Sequence, residues 1–254
     1  MFRPRVMPVL LLKNKGLVKS IRFKQHKYIG DPINAVRIFN DLKADELVFL
    51  DIAASLEKRT IDKDLVTTIG QHANMPFAVG GGITDLEQIR ALLKAGSEKV
   101  VINTQAVLRP GFIHDASEEF GSSTIMVCMD IRKRVFGRKC PWILGGTKAV
   151  KYDPVDFAQL MEQKGAGELI VQSIDRDGSM DGYDIDLLKS ISEAVSIPVV
   201  ALGGAGQLSH LEEAYKDAKV NALAAGSLFV YKNKDRGVLI NYPEKKEMNN
   251  LTTL

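Results

Sequence analysis

A single carboxylate and a set of glycine turns carry the first chemical signal in this chain. Asp130 closes the apolar run Ile125–Met129. A carboxylate at the mouth of a fold acts as general acid or base when its surroundings tune its pKa; the plainer alternative is a structural hydrogen bond in a turn. Gly80-Gly81-Gly82 and Asn103-Thr104 follow two further apolar runs. Asp177-Gly178, Gly203-Gly204 and Ala225-Gly226-Ser227 follow others later in the chain. Glycines there let backbone N–H groups come close to an anion, and a following helix N-terminus adds positive potential. A lone Gly-Gly pair is more simply a tight turn, but matched pairs in both halves point to two anion sites holding one ligand by phosphates at both ends. Asp51 and Asp175 sit at or just beyond the ends of such runs as supporting polar groups. Arg132-Lys133-Arg134 and Arg138-Lys139 form a basic run that is either a solvated loop or an attractor for an anionic ligand. Four further charges, Arg5, Glu46, Lys99 and Glu168, stand where apolar runs begin. Two of each sign suit a ring of ion pairs, a gate or plug, against the alternative of ordinary strand-end charge. His26, His72, His114 and His210 have no metal-ligand spacing, and no Ser/His/Asp or Cys/His arrangement emerges. No metal or organic cofactor is expected.

These residues are placed by a repeat. Glu46-Leu47-Val48 returns as Glu168-Leu169-Ile170, and Pro76-Phe77-Ala78-Val79-Gly80-Gly81-Gly82 returns as Pro198-Val199-Val200-Ala201-Leu202-Gly203-Gly204, both 122 residues later. Val9-Leu10-Leu11 aligns with Cys128-Met129-Asp130 at a shift of 119. Two copies of one block are implied, at about 1–120 and 121–230, with an extension at 231–254. Strand-like runs are Val6–Leu12, Leu47–Ile52, Phe77–Val79, Lys99–Ile102, Ile125–Met129, Leu169–Gln172, Val199–Leu202 and Ala222–Ala224. Nearly unbroken apolar runs of this kind suit parallel strands covered on both faces. Amphipathic stretches lie between them, among them Asp31–Leu42, Asp85–Lys94, Pro154–Gln163, Asp184–Ala194 and Ser209–Ala218. Eight strand–helix units predict one (β/α)8 barrel with its site at the carboxyl ends of the strands, in preference to an open doubly wound sheet. Pro8 is awkward inside a first strand because it removes a ladder donor. Lys13–Gly30 reads as a long polar loop able to fold over the site, and it carries His26.

Composition agrees with a folded small-molecule protein. The 254 residues hold 34 Lys+Arg and 31 Asp+Glu, a net charge of +3, which lacks the basic excess of a nucleic-acid binder. At 45% hydrophobic and 26% charged residues the chain is globular in type. No apolar run reaches membrane-spanning length, and Val6–Leu12 after Arg3 and Arg5 is too short for a leader and has no small-residue cleavage site. Two cysteines, Cys128 and Cys140, make no disulfide framework, so a cytoplasmic setting is expected.

Asp45-Glu46-Leu47-Val48-Phe49-Leu50-Asp51-Ile52, Glu57-Lys58-Arg59, Val79-Gly80-Gly81-Gly82-Ile83 and Ser173-Ile174-Asp175-Arg176-Asp177-Gly178 strongly resemble the cyclase subunit of imidazole glycerol phosphate synthase, and the similarity runs from Arg5 to about Phe229. That family takes ammonia from a glutaminase subunit docked on the barrel's N-terminal face and uses it to cleave and cyclise a bis-phosphorylated ribonucleotide. The resemblance implies that Arg5, Glu46, Lys99 and Glu168 form the gate ring. It implies phosphate contacts at Gly82, Asn103 and Thr104 and, on the other side, at Asp177, Gly178, Gly204, Ala225, Gly226 and Ser227, with Lys19 on a mobile first loop. Asp130 matches one of two catalytic aspartates; at the position of the other stands Leu11. Gly226 stands where the family commonly has alanine. Leu10-Leu11-Leu12-Lys13 and Val238-Leu239-Ile240-Asn241-Tyr242-Pro243 resemble paralogues that accompany sugar amidotransferases and supply ammonia for amidating an N-acetyl sugar in surface polysaccharide synthesis. Three functions follow as expectations: an ammonia-conducting barrel with half its proton-transfer pair, an authentic cyclase of histidine biosynthesis, or a non-enzymic docking and regulatory subunit.

Overall fold

The computed structural model describes residues 3–134, 137–232, 235 and 237–250, so parts of the 231–254 extension lie outside the described residues. Eight parallel strands close on themselves: β1 (Arg5–Lys13), β2 (Leu47–Asp51), β3 (Phe77–Gly80), β4 (Lys99–Ile102), β5 (Ile125–Lys133), β6 (Glu168–Ser173), β7 (Val199–Leu202) and β8 (Ala222–Ala225). Each pairs with the next, and β8 returns to β1 through Arg5↔Ala222 and Val6↔Leu223. The (β/α)8 expectation holds, with strand limits shifted by a few residues at most.

Helix starts were written in aspartate. Asp31, Asp62, Asp85, Asp153 and Asp184 each precede a helix and accept from backbone N–H groups of its first turn, which would otherwise lack partners. The helices bury one face against the outside of the strands, as Phe39, Ile69, Ile89, Phe112, Phe157 and Leu211 do. The strands' other face fills the barrel with Met7, Val9, Val48, Ala78, Val101, Met126, Cys128, Ile170, Val200, Leu202, Ala222 and Ala224. Pro8 sits where β1 finishes its register with β8 and begins that with β2 at Val9↔Val48, so the missing donor falls at a handover.

β1 and β5, the first strand of each half, are the longest and the only barrel strands that run on into hairpins among the described residues. After β1 the chain turns through Gly16–Ile21 and Lys24–Gly30; after β5 it turns through Lys139–Ile143 and Lys148–Ala149. The expected polar loop at 13–30 is therefore an ordered hairpin. Its Leu17, Val18, Lys19 and Ser20 are all buried, a continuous run that the lysines of the segment conceal in the sequence. After β8 only a short helix, Ser227–Val230, precedes an irregular segment and the helix Lys245–Asn250. No helix among the described residues is long and apolar enough to cross a membrane.

Candidate functional site

The carboxyl ends of the strands surround a cavity of about 630 Å³. Asp130 and all ten residues expected at the ligand sites line it: Lys19, Gly82, Asn103, Thr104, Asp177, Gly178, Gly204, Ala225, Gly226 and Ser227. Leu11 lines it too, from β1, four strands from Asp130 in either direction around the ring. In strand register the two are equivalents, Leu11 against Val18 and Asp130 against Trp142 of the two hairpins.

Asp130 is half-buried in the cavity wall. Burial, and then the nearby Asp177 carboxylate, raise its carboxyl to about 7, while the Cys128 thiol donates to Oδ1 at 3.5 Å and pulls the other way. A group poised there exchanges protons near neutral pH. Cys128 itself is pushed up by burial and by Asp130 and is not a thiolate nucleophile. Lys19 is buried with its Nζ donating to the Val9 carbonyl at 2.7 Å, and burial lowers its ammonium to about 8 against a smaller opposing pull from Asp177. The cavity's carboxylates are Asp51, Asp130 and Asp177. Asp51 is held by Arg59 at 2.6 Å and caps the Ala53 and Ala54 N–H groups. Asp177 accepts from Ser20 Oγ at 2.8 Å and from the Phe23 N–H at 3.3 Å, and its Oδ1 faces Gln172 Nε2 at 3.4 Å. Burial still raises its pKa. Each of these other two carboxylates is thus committed elsewhere.

Two glycine-lined ends face each other. Gly82, at φ 65°, lies so close that a Cβ would collide with the Arg59 carbonyl, and Gly204, at φ 114°, would collide with that of Gly182. Both are backbone positions reserved for glycine. Asn103 donates to the Cys128 carbonyl at 3.0 Å, and Thr104 Oγ1 accepts from the Leu144 N–H at 3.2 Å in the second hairpin. Asp177 and Gly178 are covered by the first hairpin, whose Arg22 N–H bonds the Asp177 carbonyl at 3.0 Å.

At the opposite face the four predicted charges form one closed ring. Arg5 pairs with both Glu46 and Glu168, and Lys99 reaches Glu46 at 3.1 Å and Glu168 at 3.2 Å. Both glutamates are buried. The basic run falls out of the site: its described residues do not line the cavity, Arg132 pairs with Asp175 at 3.6 Å and stacks on Trp142, and Lys139 pairs with Asp184. Asp175 also takes the Lys133 N–H and does not line the cavity. His26 does line it. Sequence reasoning missed Ser20, Phe23, Gln172 and Arg59. Gln172 was accessible, since it lies next to the end of β6, in register with Asp130 and on the cavity wall; the hairpin contacts were not, since they depend on how Gly16–Gly30 docks. No cluster of possible metal ligands occurs among the described residues.

A closed parallel barrel with a poised carboxyl, a buried lysine and glycine-lined turns at its carboxyl face defines a small-molecule (β/α)8 protein of the half-barrel-repeat kind. The family described as histidine biosynthesis protein matches residues 5–235, and the chain belongs to that family, of the imidazole glycerol phosphate synthase cyclase type. It is 43% identical over 248 residues, covering 97% of this chain and 95% of the relative, to a Vibrio vulnificus protein provisionally named imidazole glycerol phosphate synthase subunit hisF3. It is 42% identical over 248 residues, covering 98% and 99%, to one of Pseudomonas aeruginosa provisionally named subunit hisF2. To the imidazole glycerol phosphate synthase subunit HisF of Alkaliphilus metalliredigens it is 40% identical over 231 residues, covering 91% and 92%.

Proposed function

We propose that this chain is the ammonia-receiving barrel of a glutamine amidotransferase complex, with a ligand site for two phosphates and only one member of a proton-transfer pair. A glutaminase docks on the face that carries Arg5, Glu46, Lys99 and Glu168, and ammonia passes that ring into the barrel. The observation that carries this reading is the placement of Leu11 on the cavity wall across from Asp130. Leucine neither accepts nor donates a proton, and losing one general acid–base group costs about 10²–10⁴-fold in rate. Asp130 alone can take up or deliver a proton near neutral pH. Gly82, Asn103 and Thr104 hold one phosphate, and Gly178, Gly204, Gly226 and Ser227 hold the other through backbone N–H and hydroxyl groups. Lys19 adds charge between them.

The ammonia is then delivered onward to an N-acetyl sugar by a sugar amidotransferase. This step rests on the resemblance of Leu10–Lys13 and Val238–Pro243 to the cyclase-like paralogues found with such enzymes. A second reading is a cyclase in which Asp130 works alone; relatives carry the name of imidazole glycerol phosphate synthase subunits. The test uses the chain co-purified with its glutaminase and given the bis-phosphorylated ribonucleotide. Tight binding with stimulated glutamine hydrolysis but cyclisation about 10²-fold or more below hydrolysis supports the first reading. Equal rates of hydrolysis and cyclisation support the second.

A further inference from the structure

The floor of the barrel is tied to the C-terminal segment chiefly through the Tyr242 side chain. The ladder between β1 and β2 begins only at Val9↔Val48. Below it, the gap between Val6 and Asp45 is closed by side chains: the Val6 N–H donates to Asp45 Oδ2 at 3.0 Å, and the Val6 carbonyl accepts from the Tyr242 hydroxyl at 2.9 Å. The same phenolic oxygen accepts the Asp45 N–H at 3.1 Å. Arg3 then grips the Asp45 carboxylate with two bonds of 2.7 and 2.8 Å, and its Nη1 lies 3.7 Å from Met248 Sδ in the terminal helix. Tyr242 is 8% exposed and wedged between Phe39 and Phe229, with ring centroids 6.5 and 5.5 Å away. Burial pushes its hydroxyl well above the usual tyrosine range, so it remains a neutral donor and acceptor.

Arg5 precedes Val6 and Glu46 follows Asp45. The phenol therefore fixes the separation of the two backbones whose next residues form the Arg5–Glu46 pair of the charged ring. We infer that Tyr242 is a positioning residue for that ring, and that the segment from Val238 to Asn250, which holds Tyr242 in place of a full eighth helix, sets how tightly the barrel floor closes. The inference rests on the proposed reading of the ring as the barrier ammonia crosses, and it assigns control of that barrier to a segment at the rim of the same face.

Ring closure is measurable without a partner or substrate. Lys99 is held by both glutamates, so its reductive methylation by formaldehyde and cyanoborohydride, followed by peptide mapping of the full chain, reports how firmly the ring holds it; Lys216 on the outer surface is the internal reference. Tyr242→Phe keeps the ring contacts and removes both hydroxyl bonds. It is expected to speed Lys99 labelling by about 2- to 10-fold, the equivalent of one hydrogen bond. Glu46→Gln is expected to do so at least as much. Ser192→Ala, which deletes a hydroxyl bond to the Ala218 carbonyl on the outer layer, controls for general loosening and is expected to leave the Lys99 rate unchanged. An unchanged rate in Tyr242→Phe alongside a faster one in Glu46→Gln overturns the inference alone. Unchanged rates in both overturn the ring as well. A barrel found to pass no ammonia would remove the functional reading and leave the labelling result standing.

Discussion

Lys19 Nζ lies 2.7 Å from the Val9 carbonyl, in the space that a Cβ at position 226 would occupy. The glycine at 226 and the inward pose of the lysine are one feature. Gly226→Ala is expected to lift Lys19 off Val9 toward solvent, which relieves the burial that lowers its pKa to about 8. A titration of the labelled lysine by NMR should show its midpoint rising toward the ordinary lysine value. A midpoint unmoved by the alanine would separate the two residues.

Asp130 makes stability depend on pH in a definite direction. Its folded-state pKa, about 7, exceeds its unfolded value of 3.8, so the folded chain holds the proton more tightly through that window. The contribution is fully present below pH 4 and is lost as pH rises toward 7. Asp130→Asn should flatten this part of the profile and make the variant more stable at pH 8 by about 2 kcal/mol, after allowance for water in the cavity. Urea titrations at pH 5 and pH 8 check it; parallel profiles for variant and wild type would contradict it.

The charged ring is expected to behave as a buried network. Glu46→Ala leaves Arg5 and Lys99 facing each other across a floor with one remaining carboxylate, and should cost about 2–3 kcal/mol in urea unfolding, since Arg5 keeps some water. Glu87→Ala, which removes an exposed pair with Arg90, should cost less than about 0.5 kcal/mol. Equal effects would reduce the ring to surface charge.

Asp177 is the point that pins the first hairpin. Asp177→Asn keeps the shape but weakens its bonds from Ser20 and the Phe23 N–H. Hydrogen exchange at Phe23 should quicken by about tenfold, while Ile170 inside β6 should not change. Identical exchange at Phe23 would mean that the hairpin is held elsewhere.

Much of this was legible in the chain itself. The 122-residue repeat and the eight apolar runs alternating with amphipathic stretches point to a duplicated barrel, and unbroken apolar runs suit parallel strands covered on both faces. The shift of 119 that aligns Leu11 with Asp130 anticipates their matching places on β1 and β5. Arg5, Glu46, Lys99 and Glu168 were visible because strand starts mark one face. The hairpin at 16–30 was not: its lysines disguise Leu17 and Val18, whose burial depends on the docking at Asp177. Tyr242 was equally silent, since its partners Val6 and Asp45 lie about two hundred residues earlier and are backbone groups with no side-chain signature. The basic run follows the solvated-loop alternative: its described residues lie outside the cavity, with Arg132 beside Asp175 and Lys139 beside Asp184.

Ammonium-driven cyclisation of the bis-phosphorylated ribonucleotide, compared between the wild-type chain and Leu11→Asp, addresses the missing proton-transfer group without any partner. The carboxylate restored on β1 across from Asp130 should raise turnover by about 10²-fold or more over a barely measurable wild type. A wild-type chain that already cyclises briskly, and gains nothing from the aspartate, would contradict the assignment of Leu11 as the lost half of the pair.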